Sequence, residues 1–537
     1  MGYALIWIES LAAALLLVAL VTAWSAWRSR RLWQWAGPIL LGLVLIALPA
    51  ILTYGIGWLR YVRGMELPWF SYLLVWTIAF AVGALVVLVA GLRRRGEAGP
   101  AARFWSVSKL ALTAAGLVLL TWITFSNMDL AVKIQLSAMR AEAGAKMLAA
   151  IPPRPPDRDN AAFVYQEAFA ALASPDKVPQ RWRPTEHGIF DVAELTVDPK
   201  DRELREFLAT QQRGLELLRK AAAMPSCSFD HDYFLWADMP LSELPNLRQG
   251  VYLLAMDALA RAGREDSPGA LDDVTAMYGI ARHINDPTLI SLLIAAAIEK
   301  AALKTLEGVL SAAPPKPDGV LTLPSDDHLS YRRFLSRACR FEEMGLGVSY
   351  YTTLAAGDGS HVVLRDVDHA AGAIVETGLY RLFFLQDDLA AYRRTMQQIE
   401  ELAGRPYYEA AKAWQDFDRT LRTRPPGILA MLLTPAFGRC SAVASAADAA
   451  RGLARVALAM TAYRAQNGKY PEKLDQLIGA HLPAIPKDPF DGQPLRMKRQ
   501  GQDIVLYSIG DDLKDDGGIP FDPATGQGDI VFHLRAP

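Results

Sequence analysis

Four aspartates near residue 510 form the densest group of potential ligands in the sequence. Asp511, Asp512, Asp515 and Asp516 lie within residues 510–518, a segment that begins and ends with glycine and is called the acidic loop below. Calcium takes six to eight oxygen ligands, which four carboxylates and the carbonyl groups of a flexible loop could supply. A divalent cation would also relieve the repulsion between the carboxylates. The alternative is a solvated surface loop, and the EF-hand pattern is absent.

A second group of polar residues could carry out acid/base or metal chemistry. His361, Asp366, Asp368 and His369 lie within nine residues, and their spacing would suit a hydrolytic site on a loop. No HExxH, CxxC or nucleophile-elbow motif accompanies them. A solvated turn that follows the glycines at 357 and 359 is the alternative interpretation.

The Cys227–His231 pair and Glu9 could take part in chemistry, but the sequence favours a structural role for both. Cys227 and His231, followed by Asp232, could form a thiol–histidine dyad, but no third partner is placed by the sequence. Glu9 lies in an apolar segment, where a carboxylate is a functional candidate. It has no acidic or basic relay partner in the neighbouring apolar segments, so partial hydration near the membrane interface is the simpler explanation.

The composition excludes several classes of protein. The 537 residues carry a formal net charge of -1, which argues against nucleic-acid binding through bulk charge. A hydrophobic content of 52% with 21% charged residues argues against global disorder. Three cysteines are too few for a disulfide scaffold, and the length predicts several domains.

Residues 1–127 have the pattern of a membrane domain. Each long apolar run approaches or exceeds the roughly 20 residues that span a bilayer, and the runs cover 4–24, 37–59, 69–92 and 110–125. Basic residues are concentrated between runs one and two and between runs three and four, which predicts that both loops are cytoplasmic. We therefore expect a multi-pass protein of the inner (cytoplasmic) membrane. Its N-terminus and about 410 C-terminal residues would be extracytoplasmic.

The region after the membrane domain is predicted to be helical. Residues 128–159 read as a helical stalk and a proline-rich linker, since Pro152, Pro153, Pro155 and Pro156 stop the helix. Residues 160–438, called the helical domain, contain runs with helical periodicity. The predicted helices are 160–172, 201–224, 241–262, 268–284, 287–310 and 326–344, with more between 370 and 402. Small and large apolar residues interleave at helical spacing in 247–264 and 269–283, which favours a tetratricopeptide-like hairpin.

Residues 439–537, called the C-terminal module, change from helix to sheet. A long helix over 442–466 ends at Asn467 and Gly468, and a short helix is expected at 473–478. Two β-like runs, 494–498 and 503–507, flank the turn at 500–502 and predict a hairpin. The fold class is thus a mostly α membrane protein with a small α+β C-terminal domain.

This module resembles the globular domain of the major pseudopilins of type II secretion systems. The resemblance covers about 90 residues and rests on motifs in order along the chain: the Ala-x-Tyr-Arg-x-x-Asn-Gly-x-Tyr-Pro stretch of 462–471, the Leu-Pro and Pro-x-Asp-Pro segment of 482–489, the Leu-Tyr-Ser-x-Gly strand end of 506–510, and the Asp-Ile step at 529–530. The whole chain also resembles multi-span bacterial envelope proteins that end in such a module. In the pseudopilins the last loop binds calcium, which implies ligands at Asp512 and Asp529, with Asp511, Asp515 and Asp516 beside them.

The resemblance does not extend to the N-terminus. A pseudopilin begins with a prepilin peptidase site and one apolar helix, whereas here Glu9 has the wrong spacing and three more apolar runs follow. We therefore expect no polymerisation as a pilin. The sequence favours a non-enzymatic, membrane-anchored scaffold whose partners are envelope or secretion-assembly proteins and the lipid bilayer. Homo-oligomerisation through small-residue faces is a further expectation. The alternatives are an extracytoplasmic hydrolase and a transporter or channel subunit.

Overall fold

The computed structural model describes residues 132–182, 192, 195, 197–312, 330–356, 384–434, 436–522 and 524–535, apart from the side chains of 175, 236 and 237. This part of the protein is mostly helical and contains one three-stranded sheet. That agrees with the expected balance of helix and strand. The four predicted membrane spans, Glu9 and the His361–His369 group lie outside the described residues.

Within the described ranges, one helical stretch has the length and apolar character needed to cross a membrane. It covers Ile428–Asn467, and 59% of its most apolar window is buried inside the protein. Core helices of soluble domains have the same properties, so this stretch is weak evidence for a span.

The described residues belong to two compact units, 1–136 with 353–389 and 137–352 with 390–537. The first unit is described only at 132–136, 353–356 and 384–389, which are helical apart from Phe384. The second contains most of the described helices, the whole sheet and every site discussed below.

Twelve α-helices lie in the described ranges. In chain order, they are α1 at 132–150, α2 at Ala162–Ala171, α3 at Arg202–Ala223, α4 at Glu243–Ala262, α5 at Ser267–His283, α6 at Leu289–Ala312, α7 at Tyr331–Glu342, α8 at Ser349–Ala356, α9 at Leu385–Gly404, α10 at Tyr407–Thr423, α11 at Ile428–Leu432 and α12 at Phe437–Asn467. Short 3-10 turns occur at Asp157–Asp159, Pro175–Lys177, Gln180–Trp182, Tyr233–Asp238 and Leu474–Leu477, and a π-helical turn at Glu343–Val348 joins α7 to α8.

The predicted hairpin is formed by α4 and α5. The two helices pack closely on each other, and both also contact α6. Asp266 caps α5 by accepting a hydrogen bond from the backbone N–H of Gly269, and Pro268 lies in the first turn, as expected for a helix start. The hairpin prediction is therefore confirmed, while its likeness to a tetratricopeptide repeat stays a prediction.

Buried ion pairs join α3 to this hairpin. Arg219 of α3 donates to Asp257 of α4 and to Asp273 of α5, each at 2.6 Å, and Arg261 pairs with the same two carboxylates. Burial and repulsion from Asp257 raise the pKa of Asp273 to about 7, although the two arginines oppose that shift. Hydrogen-bonded charges of this kind fix how the three helices are placed relative to one another.

Helix α12 lies at the centre of the second unit. It packs on α6, α7 and α10, and it also contacts strands β2 and β3 of the sheet. Its sequence is rich in alanine, so neighbouring elements approach closely, and Gly468 ends it in the left-handed conformation. The predicted helix at 442–466 is confirmed and begins five residues earlier than expected.

The sheet consists of β1 at Arg496–Gln500, β2 at Asp503–Ser508 and β3 at Ile530–Leu534, all antiparallel in the order β1-β2-β3. The predicted hairpin is confirmed with a shift: β1 begins two residues later than expected. Gln500 pairs with Asp503, and Gly501 occupies the left-handed region of the tight turn.

Strand β3 and helices α8, α10 and α11 were absent from the sequence predictions. Strand β3 pairs with β2 along five residues, from Ile504 opposite Leu534 to Ser508 opposite Ile530. Helix α10 presents Tyr407, Trp414 and Phe417 to the interior.

Candidate metal centre in the helical domain

Three side chains from different parts of the helical domain meet in the interior. His231 comes from the segment between α3 and α4, Glu243 from the first turn of α4, and Asp286 from the connection between α5 and α6. His231 Nε2 lies 3.2 Å from Glu243 Oε1 and 3.7 Å from Asp286 Oδ2. We call these three residues the His231 cluster. Within the described residues, it is the one set of three or more His, Cys, Asp and Glu side chains whose ligand atoms all lie within 4.8 Å of one another.

The backbone on each side holds the cluster in place. The 3-10 turn at Tyr233–Asp238, just after His231, packs on the π-helical turn at Glu343–Val348. Asp286 follows the C-terminal end of α5, where its carbonyl accepts a hydrogen bond from Thr288 N at 2.8 Å. Arg337 of α7 donates to the carbonyl of Asn285, which fixes the same connection to another helix.

Tyr233 orients one of the carboxylates. Its hydroxyl donates a 2.6 Å hydrogen bond to Asp286 Oδ1. The other oxygen of Asp286 is the one that lies near His231. A carboxylate held in this way keeps one oxygen for the hydroxyl and presents the second to the centre of the cluster.

The atoms facing the centre of the cluster lack hydrogen-bond partners. His231 Nε2 and Glu243 Oε1 are both buried, and neither is satisfied by a hydrogen bond with suitable geometry. Their 3.2 Å separation allows electrostatic attraction without a well-directed hydrogen bond. Such buried unsatisfied atoms are rare in folded proteins and require an explanation.

The neighbouring carboxylates make His231 easier to protonate when no cation is present. Burial lowers the pKa of His231, but Glu243 and Asp286 raise it by more, and the result lies above the ordinary value. For Asp286, burial raises the pKa of the carboxyl group, and His231 and Tyr233 offset only part of that increase. The two carboxylates thus make the centre of the cluster favourable for positive charge, either a proton on the imidazole or a cation.

A cavity of about 390 Å³ opens beside the cluster. His231 and Glu243 line it directly, together with Asp230, Asp232 and Ser242. Its remaining lining residues are Gln166, Phe169, Phe229, Leu235, Pro240 and Asn246. The cavity therefore places space for a small molecule or water beside two of the three side chains of the cluster.

The thiol–histidine dyad considered from the sequence is not supported. Cys227 is 3% exposed, and burial together with the charges of Asp286 and Glu243 raises its thiol pKa. Such a shift disfavours the thiolate that a nucleophile requires. Asp232 is exposed and accepts a hydrogen bond from the backbone N–H of Phe234.

The acidic loop and Asp529 occupy a second region, in the C-terminal module. Asp529 is 1% exposed and accepts hydrogen bonds from Gly518 N at 2.6 Å and Asp516 N at 3.4 Å. Asp515 pairs with Arg496, and Asp511 is exposed. Asp512 Oδ2 and Asp516 Oδ2 are buried without hydrogen-bond partners. The predicted calcium ligands therefore include two unsatisfied oxygens, and calcium binding stays a prediction.

One conspicuous acid of the C-terminal module had no predicted role. Asp488, in the Pro-x-Asp-Pro segment, is completely buried and accepts hydrogen bonds from Phe490 N, Ser508 Oγ and Ile509 N at 2.9–3.0 Å. Arg496 also donates to it at 3.3 Å. Asp488 therefore ties the segment before β1 to the end of β2, which is a structural function.

Comparisons with protein-family models, with curated proteins and with solved structures find no match to this chain.

Proposed function

We propose that this protein is a membrane-anchored extracytoplasmic scaffold or interaction protein of the inner membrane. The four apolar runs of the sequence supply the anchor, and the helical domain and C-terminal module supply the surfaces for partners. Its partners would belong to an envelope assembly of the secretion or pilus type, which the pseudopilin resemblance suggests.

The main support for this proposal is that the helical domain and the sheet both pack on α12. One helix contacts α6 and α7 as well as strands β2 and β3, so the helical domain and the sheet are built on the same element. Arg451 of α12 forms a buried ion pair with Glu299 of α6, which fastens the helix to the helical domain. A module held in this way would present its loops in a fixed orientation, as an interaction platform requires.

Partner capture from membranes tests this proposal. A photoreactive amino acid at Ile519, which is 60% exposed beside the acidic loop, would trap partners of the C-terminal module. The matched control is the same substitution at Phe163, which is 44% exposed on α2. We expect mass spectrometry to identify one envelope-assembly protein crosslinked at position 519 and not at 163. The same background crosslinks at both positions would contradict the proposal. Crosslinks to a second copy of this chain would instead establish a homo-oligomer.

We further propose that calcium stabilises the C-terminal module. The unsatisfied oxygens of Asp512 and Asp516 support this, because a cation bound at either carboxylate would supply the partner that its buried oxygen lacks. The test uses the whole detergent-solubilised chain, since a fragment that starts at 439 would expose the faces of α12 that pack on α6 and α7. Calcium chelation should lower the melting temperature of the natural protein and of Asp475→Asn, which changes an exposed residue of the same module and serves as the control. It should leave the melting temperature of Asp512→Asn unchanged. Equal melting temperatures with and without calcium would remove calcium from this proposal.

A second candidate function is an extracytoplasmic hydrolase, which the cavity beside the His231 cluster favours. The site would differ from the His361–His369 group expected from the sequence. Chromogenic carboxylic and phosphate esters, supplied with zinc or manganese, would test it by comparing the natural protein with Glu243→Gln. Equal rates for the two proteins would exclude hydrolysis at this cluster. No described residue supports the transporter or channel alternative, which stays a prediction.

A further inference from the structure

We propose that His231, Glu243 and Asp286 bind one divalent transition-metal ion, with zinc as the best match. This inference is independent of the scaffold proposal and of the calcium proposal. Zinc bonds to imidazole nitrogen and carboxylate oxygen at about 2.0–2.2 Å, so neighbouring ligand atoms of a tetrahedral site lie roughly 3.3 Å apart. The distances from His231 Nε2 to the two carboxylates, 3.2 and 3.7 Å, lie on either side of that value.

A second and independent observation is the lack of partners at the ligand atoms. The side chains of His231 and Glu243 are 7% and 6% exposed, and their facing atoms are unsatisfied. A cation bound between these two close, buried atoms would supply the partner that each lacks. The three side chains come from three separate segments, so the local geometry of one helix does not explain why they lie close together.

The outer contacts of the cluster also resemble those of a metal site. Tyr233 holds Asp286 Oδ1 and leaves Oδ2 for the ion. Groups that hydrogen-bond to metal ligands in this way fix their orientation and raise affinity. The Tyr233 ring also makes an edge contact with the imidazole of His231, with ring centroids 6.1 Å apart.

The donor set selects among metals. Calcium and magnesium prefer oxygen ligands in larger numbers, whereas one imidazole with two carboxylates suits zinc and other first-row transition metals. Three protein ligands leave a fourth position for water or a small oxygen ligand, and the cavity lined by His231 and Glu243 lies next to it. The two carboxylates would balance the charge of the ion.

The experiment uses the whole chain, purified in detergent and stripped of metal by a chelator. Calorimetric titration with zinc and elemental analysis after dialysis should give one zinc ion per chain. Cobalt should replace zinc and show the visible absorption of a four-coordinate site. His231→Gln, Glu243→Gln and Asp286→Asn should each weaken zinc binding by more than the roughly 10–100-fold that loss of an outer contact costs.

Two controls distinguish the site from other causes of binding. Asp232→Asn changes an exposed carboxylate that lines the same cavity next to His231, and it should bind zinc as the natural protein does. Asp512→Asn alters the predicted calcium loop and should also retain zinc. The helical circular dichroism of metal-free variants shows whether each one folds. Absence of stoichiometric zinc binding to the natural protein would overturn the proposal whatever the variants do, as would zinc affinity that survives all three ligand substitutions.

Discussion

The hydroxyl of Tyr233 donates a 2.6 Å hydrogen bond to Oδ1 of Asp286, whose other oxygen lies 3.7 Å from His231 Nε2. Tyr233 is therefore a positioning residue for the His231 cluster. We predict that Tyr233→Phe lowers zinc affinity about 10–100-fold, because the Asp286 carboxylate loses its orientation. Zinc titration by calorimetry measures the effect.

Tyr252→Phe is the control for this substitution. Tyr252 is also a buried tyrosine, and its hydroxyl donates to the carbonyl of Trp182. Its loss should leave zinc affinity unchanged while removing a comparable hydrogen bond. If both tyrosine variants bind zinc equally well, Tyr233 has no role in positioning the cluster.

The second prediction concerns stability at acidic pH and the buried side chain of His283. Burial and the nearby charge of Arg282 lower its pKa to about 4. Its Nδ1 accepts from Tyr165 and its Nε2 donates to the carbonyl of Met224, both at 2.9 Å, which fixes the neutral form. Because the unfolded chain takes up a proton near pH 6.5 and the folded chain does not, stability is lost as the pH falls from about 6.5 to 4.

Comparison with His283→Gln isolates this contribution from the carboxyl groups that titrate over the same range. The natural protein should lose up to about 3 kcal/mol more than the variant between pH 7 and pH 4. Pulse proteolysis in urea at several pH values measures the free energy of unfolding. Parallel pH profiles for the two proteins would show that His283 does not control the acid sensitivity.

The third prediction concerns the ion pair that fastens α12 to α6. Arg451 Nε lies 3.1 and 3.2 Å from the two carboxylate oxygens of Glu299, and this glutamate is 1% exposed. Arg451→Met should lower the free energy of unfolding by about 3–5 kcal/mol, because Glu299 is left buried without its charged partner. The double variant Arg451→Met with Glu299→Leu should recover most of the loss, since both charges are then absent.

An exposed pair on α3 is the matched control. Arg202 and Glu206 pair at 2.7 Å with side chains 83% and 64% exposed. Arg202→Met should cost less than about 1 kcal/mol in the same urea experiment. Equal losses at the two pairs would mean that burial does not determine the contribution of Arg451.

The sequence predicted the elements that depend on local patterns. The helices that form α4 and α5, the long α12 and the turn at Gly501 all carry periodicity, capping residues or glycine at the position where the structure needs it. Strand β3 was not predicted because its five residues follow a long irregular loop. It is a strand because it pairs with β2, and the sequence of β3 alone does not show that pairing.

The His231 cluster could not be recognised by spacing. Glu243 lies 12 residues after His231, and Asp286 lies a further 43 residues along the chain. Each acid also has an ordinary local explanation, since Glu243 is an acid in the first turn of a helix and Asp286 precedes a proline. The sequence places Cys227 and Asp232 close to His231, as residues that could share a site with it. Tertiary packing brings the cluster together, and the hydrogen bond from Tyr233 to Asp286 joins two of its distant segments.

The last prediction concerns the glycines that close the loop before β3. Gly528 has φ +111°, and a Cβ atom there would lie 2.6 Å from the carbonyl oxygen of Pro520. Gly526 also has positive φ, at +67°, but has open space around it. Gly526→Ala should therefore cost about 1–2 kcal/mol for the left-handed backbone alone. Gly528→Ala should cost roughly 3 kcal/mol or more, because the backbone at Gly528 must also move away from the backbone at Pro520 and Phe521.

The effect of Gly528→Ala should reach the acidic loop through its neighbour Asp529. The backbone N–H of Asp529 donates to Ile519 at 2.7 Å, and its side chain holds Gly518 and Asp516. Separating these segments would release the loop and make Lys514 a site of tryptic cleavage. The natural protein and Gly526→Ala should resist cleavage there under native conditions. Cleavage at the same rate in all three proteins would contradict this prediction. It would show that the close approach of Gly528 to Pro520 is not needed for Asp529 to hold the acidic loop.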